Sequence, residues 1–273
     1  MTKILFIMFQ GKGTNLKYWN EYTKSKFLDR LKELGSVYTY QDKTQNIWHY
    51  DKTNPESEYK DYDSDIDIDL SYVRPDTHIK NLYRDIISKY KNIDEYKFFP
   101  IGHSAGCLLA LYFAQIYSSQ CIHVILLESI LLTPNNMKKE LELLNYGIYD
   151  KSLTNAKYKK MLLNWKKNNE DFRDADKISN LNLYIRLLFI SKKLNLYFSV
   201  PTTAFFNIIK SVKKESDLIK NKSRLEEIKI LKKYNKTKDY NYKAIIFNDK
   251  SHYIFDKIQP AKAIIKEIKS IMI

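Results

Sequence analysis

An α/β fold built on a mostly parallel sheet is predicted by two apolar runs and by the residues that follow each of them. Residues 3–9 read KILFIMF, a nearly uninterrupted apolar run that is typical of a strand buried on both faces of a parallel sheet. A second apolar run ends at Gly102 and passes directly into small and aliphatic residues at helical spacing. Strands that alternate with helices in this way favour βαβ units.

The first strand is followed by one predicted helix and a short second strand. Asn15 is suited to cap this helix and Gly35 to end it, and the second strand is predicted over 36–40. One strand–loop–helix unit is therefore expected over 3–35, with the second strand after it. The apolar positions of the helix lie largely on one face: Leu16, Trp19, Phe27, Leu31 and Leu34.

A long polar stretch, 41–76, comes next. Aspartates alternate in it from Asp61 to Asp69, a spacing that invites a calcium site. The EF-hand register fails, because Ile66 and Tyr72 occupy the positions of the required glycine and glutamate. A solvated acidic loop is predicted instead of a metal site.

The next helix is predicted from Asp76, as its N-cap, to about Tyr90. Its apolar residues recur at the spacing of one helical face, which indicates packing against the sheet. This helix leads into the apolar run that ends at Gly102. The residues expected on its buried face are Ile79, Leu82, Tyr83, Ile86 and Ile87.

The pentad at 102–106, Gly-His-Ser-Ala-Gly, joins that run to the following helix. A G-x-S-x-G sequence between a strand and a helix predicts a sharp, strained turn with the serine at its corner. Side chains at positions 102 and 106 would collide with the neighbouring strand and helix, which explains the two glycines. Ser104 is therefore the candidate nucleophile, and the side chain of His103 is expected to point away from it.

In this pentad and in the order of its strands, the chain resembles the α/β-hydrolase superfamily. The resemblance implies a reduced sheet of about six strands, helices on both faces and a helical cap over the active site. It implies a core formed by 1–128 and 197–273, with the cap inserted at 129–196. Three further strands are predicted, at 121–127, 198–209 and 243–247.

The resemblance also assigns roles to residues outside the pentad. The turn at 10–13 resembles the loop that supplies one oxyanion-hole amide in this superfamily, with Gln10 where histidine is usual. The backbone amides of Lys12 and Ala105 are the implied donors. His252, in the loop after the last strand, matches the position of the general base.

The acid of the implied triad is open among three carboxylates. The family order is serine, then the acid, then histidine, with the acid usually after the penultimate strand. Asp217 is the preferred candidate in that region, and Glu215 lies near it. Glu128, which follows the predicted strand 121–127, competes with them because some relatives carry the acid one strand earlier.

Composition limits the classes of partner. The 273 residues carry a formal net charge of +14, but the lysines are scattered along helices and no nucleic-acid-binding motif accompanies them. Nucleic acid is therefore not expected, whereas an anionic membrane surface stays open as a partner.

The N-terminal apolar run is too short for a signal peptide, and no stretch is long enough to span a bilayer. The two cysteines do not suggest a disulfide scaffold, and a cytoplasmic protein is predicted.

The predicted function is hydrolysis of a carboxylic ester, thioester or small amide through an acyl-enzyme on Ser104, without a cofactor or a metal. The partner would be a small molecule with an ester-like carbonyl group. The base, His252, must be neutral, so activity is expected to fall at acid pH. The alternative is a catalytically inactive scaffold that binds a ligand or partner, motivated by Gln10, the open acid and the basic composition.

Overall fold

The computed structural model of the protein describes residues 3–11, 19, 24–40, 74–128, 205–211, 242–247, 255 and 257–272. The predicted cap at 129–196 lies outside these residues, as do the aspartate-rich stretch 41–73 and the helix cap predicted at Asn15. None of the helices in the described ranges is long and apolar enough to cross a bilayer.

Six strands form one sheet, and each pairing between neighbouring described strands is parallel. The strands are β1 (Lys3–Phe9), β2 (Ser36–Tyr38), β3 (Tyr96–His103), β4 (His123–Leu127), β5 (Phe205–Ser211) and β6 (Tyr242–Phe247). Their order across the sheet is β2-β1-β3-β4-β5-β6. The prediction of a reduced, mostly parallel sheet of about six strands is confirmed. The C-terminal ends of all strands meet at one edge, where open α/β sheets bind their ligands.

Helices cover both faces of this sheet, as predicted. On one face, Phe9 of β1 and Phe98 of β3 each contact Phe113, with 5.7 Å between ring centroids in both pairs. On the other face, Phe6 and Met8 join a buried cluster with residues of the first and last described helices. The described α-helices are α1 (Phe27–Lys32), α2 (Pro75–Lys89), α3 (Gly106–Ile116) and α4 (Ile258–Met272).

The limits of β1 agree with the sequence prediction. Its residues from Leu5 to Phe9 are all buried, and none is more than 1% exposed. Because successive side chains point to opposite faces, a strand covered by helices on both sides needs apolar residues at every position. The neighbouring β2 ends at Tyr38, two residues before the predicted limit.

The helix predicted between Asn15 and Gly35 is interrupted. Lys26 has a left-handed backbone (φ 53°), and α1 begins only at Phe27. Ser25, just before the break, is buried, and its hydroxyl donates a hydrogen bond of 2.5 Å to the carbonyl oxygen of Phe255. A contact with a distant part of the chain therefore overrides a helical periodicity that continues across the break.

The N-cap of α2 differs from the prediction. The helix begins at Pro75, with Arg74 as its N-cap, because proline has no backbone N–H to lose at the first helical position and its fixed φ suits that position. Asp76 is therefore inside the first turn, and its carboxylate accepts a hydrogen bond from the hydroxyl of Tyr112 on α3. The prediction that Ile87 faces the sheet is also wrong, since this side chain is 45% exposed.

The strands after α3 lie close to their predicted positions. Cys121 forms an isolated bridge with Phe98, and regular β4 pairing begins at His123. β5 is described from Phe205, so its predicted beginning at residue 198 lies outside the described residues. β6 begins at Tyr242, one residue before its predicted start.

Candidate active site

The turn between β3 and α3 places Ser104 at the C-terminal edge of the sheet. Ser104 has φ 51°, in the left-handed region that L-residues with side chains rarely adopt. Its amide donates to the carbonyl oxygen of Leu127 (2.9 Å), and its own carbonyl oxygen accepts from the amide of Cys107 (3.1 Å). Ser104 and Ala105 stay partly exposed, whereas the residues on either side of them are buried. The predicted strained corner is therefore present.

The two glycines of the pentad fill positions where no side chain fits. A Cβ at Gly102 would lie 2.5 Å from the Cα of Cys107 on α3. A Cβ at Gly106 would lie against the carbonyl oxygens of Phe9 and Gln10, 2.5 Å from the latter. The predicted collisions, with the helix on one side and the neighbouring strand on the other, are confirmed.

Cys107 ties the turn to the adjacent strand, a role that the sequence reasoning did not anticipate. Its buried thiol lies 3.2 Å from the carbonyl oxygen of Gly102 and 3.5 Å from that of Leu127, so it can donate to either. Both cysteines are buried and neither forms a disulfide, and burial raises the pKa of the Cys121 thiol. The side chain of Cys107 therefore helps to fix the end of β3 against β4.

The loop after β1 passes directly beside the turn. A Cβ added to Gly11 would lie 3.2 Å from the Cβ of Ser104 and 2.9 Å from Nδ1 of His103. Lys12, the first predicted oxyanion donor, lies outside the described residues. Ala105, the second, precedes the first residue of α3, and its amide donates to no acceptor in the described part of the chain.

Glu128 follows β4 immediately, as Ser104 follows β3. His103 pairs with Leu127, and the amide of Ser104 donates to the carbonyl oxygen of Leu127, so Ser104 and Glu128 come directly after two paired strand ends. Glu128 is only 4% exposed and has φ 50°, a backbone conformation that is strained for a glutamate. Of the three candidate acids, this is the one in the described residues, since Asp217 and Glu215 lie outside them.

Phe255, eight residues after the end of β6, lies beside the turn. β6 is three strands away from β3 in the sheet, a distance of about 14 Å at the usual strand spacing. Phe255 is fully buried, and its ring centroid lies 5.1 Å from that of the His103 ring. His252 itself lies outside the described residues, but it precedes Phe255 by three positions.

His103 faces away from the corner that holds Ser104, in agreement with the sequence prediction. Its ring is 1% exposed and contacts Trp19 and Phe255 edge to face, on the side of the sheet that carries α1 and α4. Trp19 was predicted only as an apolar helix position. The contacts of Trp19 and Phe255 join residues far apart in the chain, and no periodicity within one segment signals them.

The described residues contain no group of three or more histidine, cysteine, aspartate or glutamate side chains able to hold a metal ion. Ser104 and Ala105 bring a hydroxyl and a backbone amide to the turn, and Glu128, directly after the neighbouring strand, carries a carboxylate. That set of groups is suited to nucleophilic chemistry and charge stabilisation at one point on the edge of the sheet.

No protein-family model and no curated protein matches the sequence. Solved structures do match the fold over nearly all of the chain. A carboxyl esterase from Bacillus coagulans is 15% identical, with a TM-score of 0.55, over 99% of this chain and 91% of the other. MenH from S. aureus is 12% identical, with a TM-score of 0.56, over 100% and 94%. A monoacylglycerol lipase from Paleococcus ferrophilus is 13% identical, with a TM-score of 0.52, over 97% and 92%.

These similarities, together with the sheet order and the strained serine turn, identify an α/β-hydrolase fold. The fold expected from the sequence resemblance is thereby confirmed.

Proposed function

We propose that the protein is a serine hydrolase that cleaves a carboxylic ester, thioester or small amide through an acyl-enzyme on Ser104. One observation carries the proposal: a partly exposed serine is held at φ 51° between two glycines that have no room for a side chain. Backbone strain of this kind costs about 1–3 kcal/mol and is concentrated at active sites and ligand-binding sites. The esterase and the lipase among the structural neighbours agree with this class.

His252 is proposed as the general base, and its short distance in sequence from Phe255 supports this role. Three residues of extended chain span at most about 11 Å, so His252 stays within that distance of Phe255. Phe255 packs against His103, the residue next to Ser104. The described residue closest after His252 therefore lies at the nucleophile, although β6 is at the far edge of the described sheet.

The proposed reaction begins when His252 accepts the hydroxyl proton of Ser104 and the serine oxygen attacks the carbonyl carbon of the substrate. The amides of Ala105 and Lys12 would stabilise the negative charge on the carbonyl oxygen, each contributing roughly 3 kcal/mol to the transition state. The leaving group departs with the proton held by His252. Water, activated by the same imidazole, then hydrolyses the acyl-enzyme and regenerates the serine.

Reaction with a fluorophosphonate probe tests the proposal. We expect native protein to react, and mass spectrometry of the digested adduct to find the probe on the peptide that contains Ser104. Heat-denatured protein is the control and should not react, because an isolated serine hydroxyl is a weak nucleophile. Folded protein that fails to react, or that reacts at another residue, would favour the catalytically inactive scaffold instead.

For the third member of the triad we propose Glu128, although the sequence alone favoured Asp217. An imidazole that bridges a serine and a carboxylate holds their oxygen atoms roughly 8 Å apart, given hydrogen bonds of 2.6–3.2 Å at each ring nitrogen. Ser104 and Glu128 directly follow His103 and Leu127, which pair on neighbouring strands about 4.8 Å apart. Both residues therefore lie at the same edge of the sheet. Its burial and strained backbone further support a role in the site.

We predict that Glu128→Gln lowers kcat on an activated ester by about 10⁴-fold, because the imidazole loses the carboxylate that orients it and stabilises its charged form. Asp217→Asn and Glu215→Gln are the matched controls, since each also replaces one carboxylate with an amide of the same shape. Both should keep kcat within a factor of ten. A large loss in Asp217→Asn with normal turnover in Glu128→Gln would return the role to the acid that the sequence favoured.

A further inference from the structure

We propose that Trp19, His103 and Phe255, which we call the aromatic bridge, are positioning residues that hold the segment carrying His252 and the loop after β1 against Ser104. The catalytic part of this proposal rests on the function proposed above. None of the three side chains is expected to touch the substrate.

The three rings of the aromatic bridge come from three separate parts of the site. Trp19 follows the loop after β1, His103 precedes the nucleophile, and Phe255 follows the proposed base. The rings of Trp19 and Phe255 are stacked at 4.7 Å, and the ring of His103 meets each of them edge to face, at 6.4 and 5.1 Å. All three side chains are at most 1% exposed. Each ring therefore contacts the other two without intervening solvent.

The backbone at Phe255 is fixed as firmly as its ring. Its carbonyl oxygen accepts a buried hydrogen bond of 2.5 Å from the hydroxyl of Ser25. The ring of Phe27, at the start of α1, lies 5.7 Å from the Phe255 ring. The interruption of the helix before α1 makes this hydrogen bond possible, because it places the Ser25 hydroxyl against the Phe255 carbonyl oxygen.

The aromatic bridge also solves a problem of topology. The chain leaves the sheet at β6, about 14 Å from the strand that bears the nucleophile, and must return to it. Phe255 is reached eight residues after the end of β6 and is already packed against His103. A general base must come within hydrogen-bond distance of its nucleophile, and a misplacement of about 1 Å can cost 100-fold in rate. Anchoring the chain close after His252 limits such misplacement.

His103 is the central residue of the aromatic bridge. It is bonded to Ser104 through the chain, it contacts both other rings, and its Nδ1 lies against the loop after β1 at Gly11. A shift of Phe255 or Trp19 should therefore reach the turn through the side chain of His103.

The test compares Phe255→Leu with Phe98→Leu. Both phenylalanines are fully buried and contact aromatic rings, but Phe98 packs on the opposite face of the sheet, against Tyr83 and Phe113. Both variants should lower Tm by roughly 3–6 °C. In Phe255→Leu alone, the maximal rate of Ser104 labelling by the fluorophosphonate should fall about 10- to 100-fold, while the probe concentration for half-maximal rate changes little.

Hydrogen exchange measured on the same proteins gives a readout that needs no catalysis. Phe255→Leu should speed exchange in peptides covering 248–256 and 10–19, and Phe98→Leu should not. If Phe255→Leu fails to fold, Ser25→Ala replaces it, since that variant removes the hydrogen bond to the Phe255 carbonyl and leaves the rings in place.

The outcomes separate this proposal from the proposed function. Wild-type protein that reacts with the probe, with Phe255→Leu matching Phe98→Leu in labelling and exchange, overturns the aromatic bridge and leaves the hydrolase proposal intact. Wild-type protein that does not react, with faster exchange in both segments of Phe255→Leu, overturns the hydrolase proposal and supports the bridge as a structural link.

Discussion

Gly106→Ala should lower the free energy of unfolding by about 4 kcal/mol or more, a large part of the 5–15 kcal/mol typical of a whole domain. The added Cβ would meet the carbonyl oxygens of Phe9 and Gln10, the latter at 2.5 Å. These are backbone atoms at the end of β1, and they cannot move without disturbing the pairing of Phe9 with Gly102. Intrinsic helix propensity predicts the opposite sign, because alanine favours a helix over glycine by about 1 kcal/mol.

Urea denaturation, monitored by circular dichroism, measures this change in the free energy of unfolding. Ile116→Ala is the matched control, because it also introduces alanine into α3 but at a side chain that is 43% exposed. It should alter the free energy of unfolding by no more than about 0.5 kcal/mol. If Gly106→Ala were as stable as the wild type, the end of β1 would not pass over the beginning of α3, and the geometry of the turn would be wrong.

The strained turn could be predicted from sequence because its causes are local. A buried strand, a serine between two glycines and a helix follow one another within a few residues, and only one geometry satisfies all of them. The same holds for β1, because the apolar run in the sequence begins and ends at the same residues as the strand. Both features depend on neighbouring residues rather than on contacts across the fold.

Features that depend on distant contacts could not be predicted. The helical pattern of 15–35 continues through Ser25, and nothing near Ser25 in the sequence shows that its hydroxyl bonds to Phe255. Asp76 has the chemistry of an N-cap, but the helix starts at Pro75, two residues earlier than that cap predicts. The Asp76 carboxylate instead accepts a hydrogen bond from the hydroxyl of Tyr112.

The acid of the proposed triad illustrates the same limit. Family order favoured a carboxylate after the penultimate strand, and the sequence could not show how deeply any candidate is buried. The pairing of β3 with β4 brings the two strand ends that precede Ser104 and Glu128 together, and Glu128 is buried there. Which strand ends lie side by side is a property of the assembled sheet.

Ser104→Ala and Ser104→Gly should each lower the turnover of a p-nitrophenyl ester by about 10⁶-fold, the scale on which loss of the nucleophile acts in serine hydrolases. Neither variant can form the acyl-enzyme, because each lacks the hydroxyl oxygen. His252→Ala should cost about as much, and combining it with Ser104→Ala should cost little more, since the two groups act as one unit. Ser119→Ala, at an exposed serine beyond the end of α3, is the control and should keep full turnover.

The two substitutions at Ser104 should have different effects on stability. The left-handed backbone at φ 51° costs an L-residue with a Cβ roughly 1 kcal/mol that glycine does not incur. Ser104→Gly should therefore unfold with a free energy about 1 kcal/mol higher than Ser104→Ala in urea denaturation. If Ser104→Gly is more stable than Ser104→Ala but equally inactive, the backbone strain at this position is retained for catalysis. Equal stabilities would remove the strain argument, and normal turnover in either variant would remove Ser104 as the nucleophile.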